Sequence, residues 1–223
     1  AIDLQLCVTG MHLSPEFGLT YQQIEADGFT IDYKVETLLS SDTGTAIAKS
    51  IGLGTIGFAD AFEQLQPDVI LVVGDRYEIL AAVTAALAAR IPVAHCHGGE
   101  LTLGAIDDAI RHAITKMAHL HFVSTAAYQK RILQLGEEKE RVRVVGALGL
   151  ENIQQQLISQ ADFEEKIGRP LAHQNFIITY HPETLSDINL ESQMIALFDA
   201  LDQFPNALLI FTQPNADHQG RQI

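Results

Sequence analysis

Basic side chains are scarce in this sequence. Across 223 residues, 14 lysines and arginines face 28 aspartates and glutamates, a net charge of −14. Nucleic-acid-binding domains show a basic surface, so that partner class is disfavoured. Anionic lipid would repel the chain, which disfavours a membrane-surface role. Cysteine is nearly absent: Cys7 and Cys96 are the two present, both in apolar strand-like runs. Buried, reduced thiols in a reducing cytoplasm are therefore expected rather than a disulfide framework. Long apolar runs are missing as well. The longest, 79–89, is broken by Thr84 and is too short to span a bilayer. No basic segment precedes an apolar one at Ala1-Ile2-Asp3, so no signal peptide is read there. The chain opens without Met and almost directly into a strand, so the natural start is expected to lie upstream of residue 1. Repeats and low-complexity tracts are not found. Apolar residues are plentiful: 47% of the chain is hydrophobic and 19% charged, the balance of a packed core rather than of disorder. An anionic substrate stays possible, because local arginines and helix N-termini bind phosphate on an acidic protein.

Strands and helices alternate along the chain. Residues 4–9 read as a strand, 19–26 as a helix closed by Gly28, and 29–35 as a half-exposed strand. Residues 45–65 have helical spacing despite Gly52, Gly54 and Gly57. Those glycines suit close helix packing better than a phosphate loop, because they lie inside the helical pattern. Strand 69–73, helix 77–90, a strand opened by Pro92, a helix from Asp107, strand 120–123, helix 126–135 and strand 142–145 follow. On the helix from Asp107, Ile106, Ile110, Ala113, Ile114 and Met117 form the expected buried face. Asp107, Asp108, Arg111, His112 and Thr115 form the polar one. Residues 151–166 read as a helix leading to a polar connector at Gly168-Arg169-Pro170. A second βα unit follows, with strand 175–180, helix 188–204 and strand 207–211. This order predicts an α/β protein with a Rossmann-like, doubly wound parallel sheet. Its domains are expected at 1–168 and 169–223, the second cut short because two strands cannot bury a sheet on both faces.

Two apolar strands end in polar bursts, Gly74-Asp75-Arg76 and His95-Cys96-His97-Gly98-Gly99-Glu100. In open parallel sheets ligands bind beyond the carboxyl ends of strands, so both bursts point at one crevice. Asp75 is either a turn or capping carboxylate or a functional acid. His95 and His97 share a strand face and read as core imidazoles or as half a zinc site, with His119 and His121 a second such pair. Gly98-Gly99 admits a ligand close to the backbone, and Glu100 beside it suits a general base. Asp107 and Asp108 sit where acids cap a helix. Arg111 and His112 lie four residues after them, the spacing of ion pairs. His181 ends a strand before Pro182, where a cationic donor could stabilise a leaving phosphate.

The segments GDRYEIL, HCHGGELTLGAIDDAIRHAITKMAHLHFVS, TGMHLSPEFG, TYHPET and PNAD together resemble the hydrolysing UDP-N-acetylglucosamine 2-epimerases, bacterial enzymes that feed sialic and legionaminic acid synthesis. The resemblance covers nearly the whole chain. It implies a two-domain, B-type glycosyltransferase-like architecture whose second domain is incomplete here. It implies a UDP-sugar substrate, no cofactor or metal, and a homo-oligomer, either dimer or tetramer. It makes Asp75 and Asp107 catalytic. It makes His181 a diphosphate contact and His12 a binding residue of the loop after the first strand. Arg76, His95, Asp108 and Arg111 complete the expected substrate-binding set. Some members carry Glu where this chain has His97, and that Glu is assigned a base role. Here either Glu100 or His97 takes the proton. The implied reaction eliminates UDP and then hydrates the glycal, needing acid/base groups on both faces of C2. The alternatives are a non-hydrolysing epimerase, a sugar-nucleotide-binding module without turnover, and a zinc hydrolase built on the histidine pairs.

Overall fold

The computed structural model describes residues 2–153, 157–185 and 189–213. The elements run β1 (Cys7–Thr9), two 3-10 turns, α1 (Tyr21–Ala26), β2 (Tyr33–Val35), α2 (Gly44–Leu65), β3 (Ile70–Val73) and α3 (Tyr77–Ala89). Then come β4 (Val93–Cys96), α4 (Ile106–Met117), β5 (Leu120–Val123), α5 (Ala126–Gln134) and β6 (Val142–Val144). α6 (Leu150–Ile153), α7 (Gln160–Ile167), β7 (Asn175–Ile178), α8 (Leu190–Leu201) and β8 (Leu208–Phe211) complete the order. Every strand pairing among the described residues is parallel, so the α/β class read from the alternation holds. The chain divides into two compact units, residues 1–147 and 148–223. The stretch 148–168, read with the first domain, thus groups with the second unit.

In the first unit β3, β4, β5 and β6 pair in sequence order, while β1 and β2 form a separate pair. Sequential parallel pairing with right-handed crossovers places the connecting helices on one face of the sheet. The contacts agree. Val72, His95, His121 and Val142 form one cross-strand row and so share a face. On that face His95 meets Thr115 of α4, and His121 meets Glu137 just after α5. The main core fills the space between this face and the helices with Val72, Val93, Ala81, Ala85, Phe58, Phe62, Ile110 and Ile114. On the opposite face of β3, Leu71 and Val73 remain exposed.

Helix ends follow local chemistry. Thr43 caps α2 by accepting from the Ala46 amide, and Thr125 caps α5 by accepting from the Tyr128 amide. α3 stops at Arg90 in the left-handed region, two residues before Pro92. Of the three glycines expected to serve close packing inside α2, Gly54 and Gly57 do and Gly52 does not. A Cβ on Gly54 would lie 2.9 Å from Ala81 Cβ, and one on Gly57 would lie 2.7 Å from Val35 Cγ1. Gly52 has nothing within 4 Å. Gly52→Ala is therefore expected to gain about 1 kcal/mol of helix propensity. Gly57→Ala should lose about 1 to 3 kcal/mol by overpacking against the stiff, buried Val35. Thermal unfolding of the two variants should show midpoints moving in opposite directions.

Several boundaries depart from the sequence reading. The first two strands are short, 7–9 and 33–35 rather than 4–9 and 29–35, because residues 2–5 and 28–30 stand exposed with nothing to bury an alternating face. The single helix expected over 151–166 is replaced by α6 and α7. Ser159 opens α7 as a cap on the Asp162 amide, which requires extended backbone there. On α4 the expected polar face is partly interior: Arg111 and Thr115 are buried while Ala113 is exposed. Arg111 finds a counter-charge in Asp75 after β3, and the Thr115 hydroxyl finds His95 on β4.

The second unit holds α6, α7 and a parallel β7–β8 pair; α8 meets β8 through the Phe198–Phe211 ring contact, and Phe204, just after α8, meets Phe176 of β7. Ile188 and the PNAD segment lie outside the described residues.

Candidate active site

The site is built in the first unit at the carboxyl ends of β3, β4 and β5. Backbone hydrogen bonds hold the three strand ends together. Gly74 N–H donates to the Cys96 carbonyl at 3.1 Å, and His97 N–H donates to the Phe122 carbonyl at 3.0 Å. Asp75 therefore leaves β3 beside the turn that carries His97.

Asp75 is ion-paired with Arg111, which reaches across from α4. Arg111 is 6% exposed, and its Nε and Nη1 have no hydrogen-bond partner among the described residues. Its charge is balanced inside the protein by Asp75. Burial pushes the Asp75 carboxyl above its ordinary value, against the opposing pull of Arg111 and Arg76, and the Glu100 charge pushes the same way as burial. Arg76 is itself oriented by Glu78, which accepts from its Nε at 3.2 Å and is 4% exposed. Gly10, two residues before His12, lies against the same Glu78 carboxylate. His12 is exposed on that turn and bonds Thr20 at 2.7 Å through Nδ1.

His97 and Glu100 form a second pair. His97 Nδ1–H donates to Glu100 Oε1 at 2.8 Å, and Ser124 Oγ–H donates to the same oxygen at 2.9 Å. The other ring nitrogen, Nε2, is an acceptor whenever the ring is neutral. His97 has φ 63°, in the left-handed region that a side chain disfavours.

The other expected residues fall as follows. Asp107 and Asp108 open α4 as half-buried groups. Asp108 accepts from the Thr102 amide at 3.0 Å and lies 3.7 Å from His112. The substrate contact expected of His95 is corrected. Its ring is 0% exposed, with Nε2 bonded to the Gly74 carbonyl at 2.8 Å and Nδ1 to Thr115 at 3.3 Å. His119 accepts from the Val93 amide, and buried His121 bonds Glu137. The histidine pairs therefore serve protein groups. His181 is exposed after β7 in the second unit. Glu78, Thr115 and Ser124 were not anticipated. A first-turn acid looks like a cap, and isolated hydroxyls carry no spacing signal.

Fold and geometry thus define a parallel α/β protein with two acid/base pairs at neighbouring strand ends. The chain belongs to the UDP-N-acetylglucosamine 2-epimerase family, whose profile it matches over residues 1–223. It is 47% identical over its full length to a hydrolysing GDP/UDP-N,N'-diacetylbacillosamine 2-epimerase of Campylobacter jejuni. It is 39% identical over its full length to a hydrolysing UDP-N,N'-diacetylbacillosamine 2-epimerase of Legionella pneumophila. The chain spans 58% and 59% of the length of these two relatives. Among solved structures it resembles the UDP-GlcNAc 2-epimerase of Neisseria meningitidis bound to UDP-GlcNAc. The TM-score is 0.75 at 18% identity, over 98% of this chain and 60% of that one, a likeness of fold.

Proposed function

We propose that the complete protein is a hydrolysing 2-epimerase of a UDP-linked 2-acetamido sugar. The observation that carries this reading is the pairing of Asp75 with Arg111 beside the pairing of His97 with Glu100. The 47% and 39% relatives favour a 2,4-diacetamido-6-deoxy sugar over N-acetylglucosamine itself. The product is UDP and a sugar inverted at C2, of the mannosamine type, suited to a cytoplasmic route to sialic-type or legionaminic-type acids. A homo-oligomer is part of the same proposal.

The C2 proton is not acidic, so it leaves only as the C1–O bond breaks and positive charge grows at C1. The electron pair of the C2–H bond becomes the C1–C2 double bond, and the C1–O pair departs with UDP. Water then adds at C1 while a proton is delivered to the other face of C2. No redox change occurs. The Asp75 carboxylate, held by Arg111, serves one face and stabilises the charge at C1. Nε2 of His97 carries the proton on the other face, with Glu100 and Ser124 fixing the ring through Nδ1, the division of labour of a base and its orienting acid. Asp107 completes the catalytic set. His12, Arg76, Asp108 and, on sequence alone, His181 are the proposed contacts to the nucleotide sugar.

The test is incubation of the complete protein with the UDP-sugar in deuterated water. Free UDP and one deuterium at C2 of the product are expected; product without deuterium, or a UDP-linked epimer, contradicts the reading. His97→Asn should lower kcat by roughly 10² to 10⁴-fold. Glu100→Gln should cost less, because the imidazole remains. If Glu100→Gln is dead while His97→Asn turns over, the roles are reversed.

A further inference from the structure

His95 is enclosed, and yet it touches both turns that carry the proposed proton carriers. On one side its Nε2 lies 2.8 Å from the carbonyl of Gly74, the residue before Asp75. On the other, a Cβ added to Gly98, the residue after His97, would stand 3.1 Å from His95 Nδ1 and 3.1 Å from Thr115 Oγ1. The His97 turn therefore rests on the His95–Thr115 pair and on Ile132, whose Cδ1 would stand 3.0 Å from the same Cβ, so that a side chain there would push on the pair. Thr115 is itself 0% exposed and bonds His95 Nδ1 at 3.3 Å.

The donors and acceptors fix the tautomer. A carbonyl accepts only, so His95 Nε2 carries the hydrogen. Nδ1 of the neutral ring is then an acceptor, and the Thr115 hydroxyl donates to it. Burial supports this by favouring the uncharged ring, whose pKa falls to about 4.

α4 closes the circuit. Arg111 and Thr115 lie four residues apart, so they sit one turn apart on one face. Arg111 grips the Asp75 side chain, and Thr115 sets the ring that grips the Asp75 turn by its backbone. From this geometry we infer that His95 and Thr115 are a positioning pair, holding the Asp75 turn and the His97 turn in register across the reacting carbon. The inference rests on the epimerase reading for its kinetic consequence and stands on its own for the ring's bonding. The charged and titratable groups around the ring are His97 on the turn after its own strand, Arg111 on α4 and His121 on β5. None of them bonds it.

The test uses the complete protein with the UDP-sugar as substrate. His95→Leu keeps the bulk and removes the donor. Its kcat should fall roughly a hundredfold, as for about an ångström of misplacement, while KM stays within about twofold. His95→Gln retains an N–H for the Gly74 carbonyl and an oxygen for Thr115, and should recover most of that loss. Thr115→Val should fall between wild type and His95→Leu, with Thr115→Ser near wild type. A kcat for His95→Leu within about twofold of wild type, or a loss that His95→Gln does not relieve, overturns the inference. If His95→Leu fails to fold, ring nitrogen shifts of His95 in the wild-type protein decide. An Nε2–H tautomer, neutral at pH 6, is expected; an Nδ1–H tautomer or a charged ring overturns the proposal. That measurement needs no turnover, so a failure of the epimerase reading, seen as no UDP release by wild type, is told apart from a failure of this one.

Discussion

Asp75→Asn should abolish turnover and also weaken the fold, and the two effects can be separated. Losing a positioned acid/base group that also faces developing positive charge should lower kcat by roughly a thousandfold or more. Stability suffers because Arg111 is buried and its Nη2 is committed to Asp75. Asparagine keeps an acceptor oxygen but no charge, which leaves the guanidinium uncompensated away from water. Removing one partner of a buried pair costs about 3 to 5 kcal/mol, but burial already disfavours the Asp75 carboxylate and the amide oxygen still accepts, so the loss should be held to about 1 kcal/mol. Adding Arg111→Met removes the orphaned charge. The double variant should regain most of the stability and none of the activity. Urea unfolding and UDP release, measured on the same preparations, check both halves. Turnover near wild type in Asp75→Asn would remove the carboxylate from the chemistry.

The second large effect is on stability against pH. Burial takes His95 from 6.5 to about 4 in the folded protein. Between those values the unfolded chain binds the proton and the folded chain does not. Stability from the neutral ring is thus fully present above 6.5 and is lost as pH falls through about 4. The difference amounts to about 3 kcal/mol. His121 acts in the same sense, since burial lowers it too, against the opposing Glu137. Asp75 acts in the opposite sense: its raised carboxyl favours the folded state at acid pH and loses that contribution as pH rises through the folded value. Two nearby arginines moderate that term, so the histidines should dominate. Urea unfolding of wild type from about pH 7.5 down to about pH 4 should show this loss, and His95→Gln should show a flatter slope. Identical slopes would mean that the ring titrates as if exposed.

Local pattern made most of the frame legible. Strand β5 and the starts of α3 and α5 fall where the sequence pattern places them, because each depends on neighbours within a few residues. The pairing of His97 with Glu100 was within reach for the same reason, as both lie on one turn. The grip of Arg111 on Asp75 was not, because 36 residues separate them. The spacing on α4 offered Arg111 a nearer acid, and only the fold shows the salt link to β3. The buried role of Thr115 was hidden similarly. A helix turning polar groups toward a strand end looks in sequence like one turning them to water. His95 shows the converse limit: alternation put it on a strand face, but only the packing of α4 shows that the face is shut.

The backbone of His97 adopts a geometry that glycine accepts freely and an imidazole-bearing residue resists, a local penalty of about 1 to 3 kcal/mol. Robustness and chemistry therefore pull in opposite directions at this one position. A selection for heat tolerance alone would tend to discard the ring there, and the survivors would be sturdier proteins with nothing to move a proton.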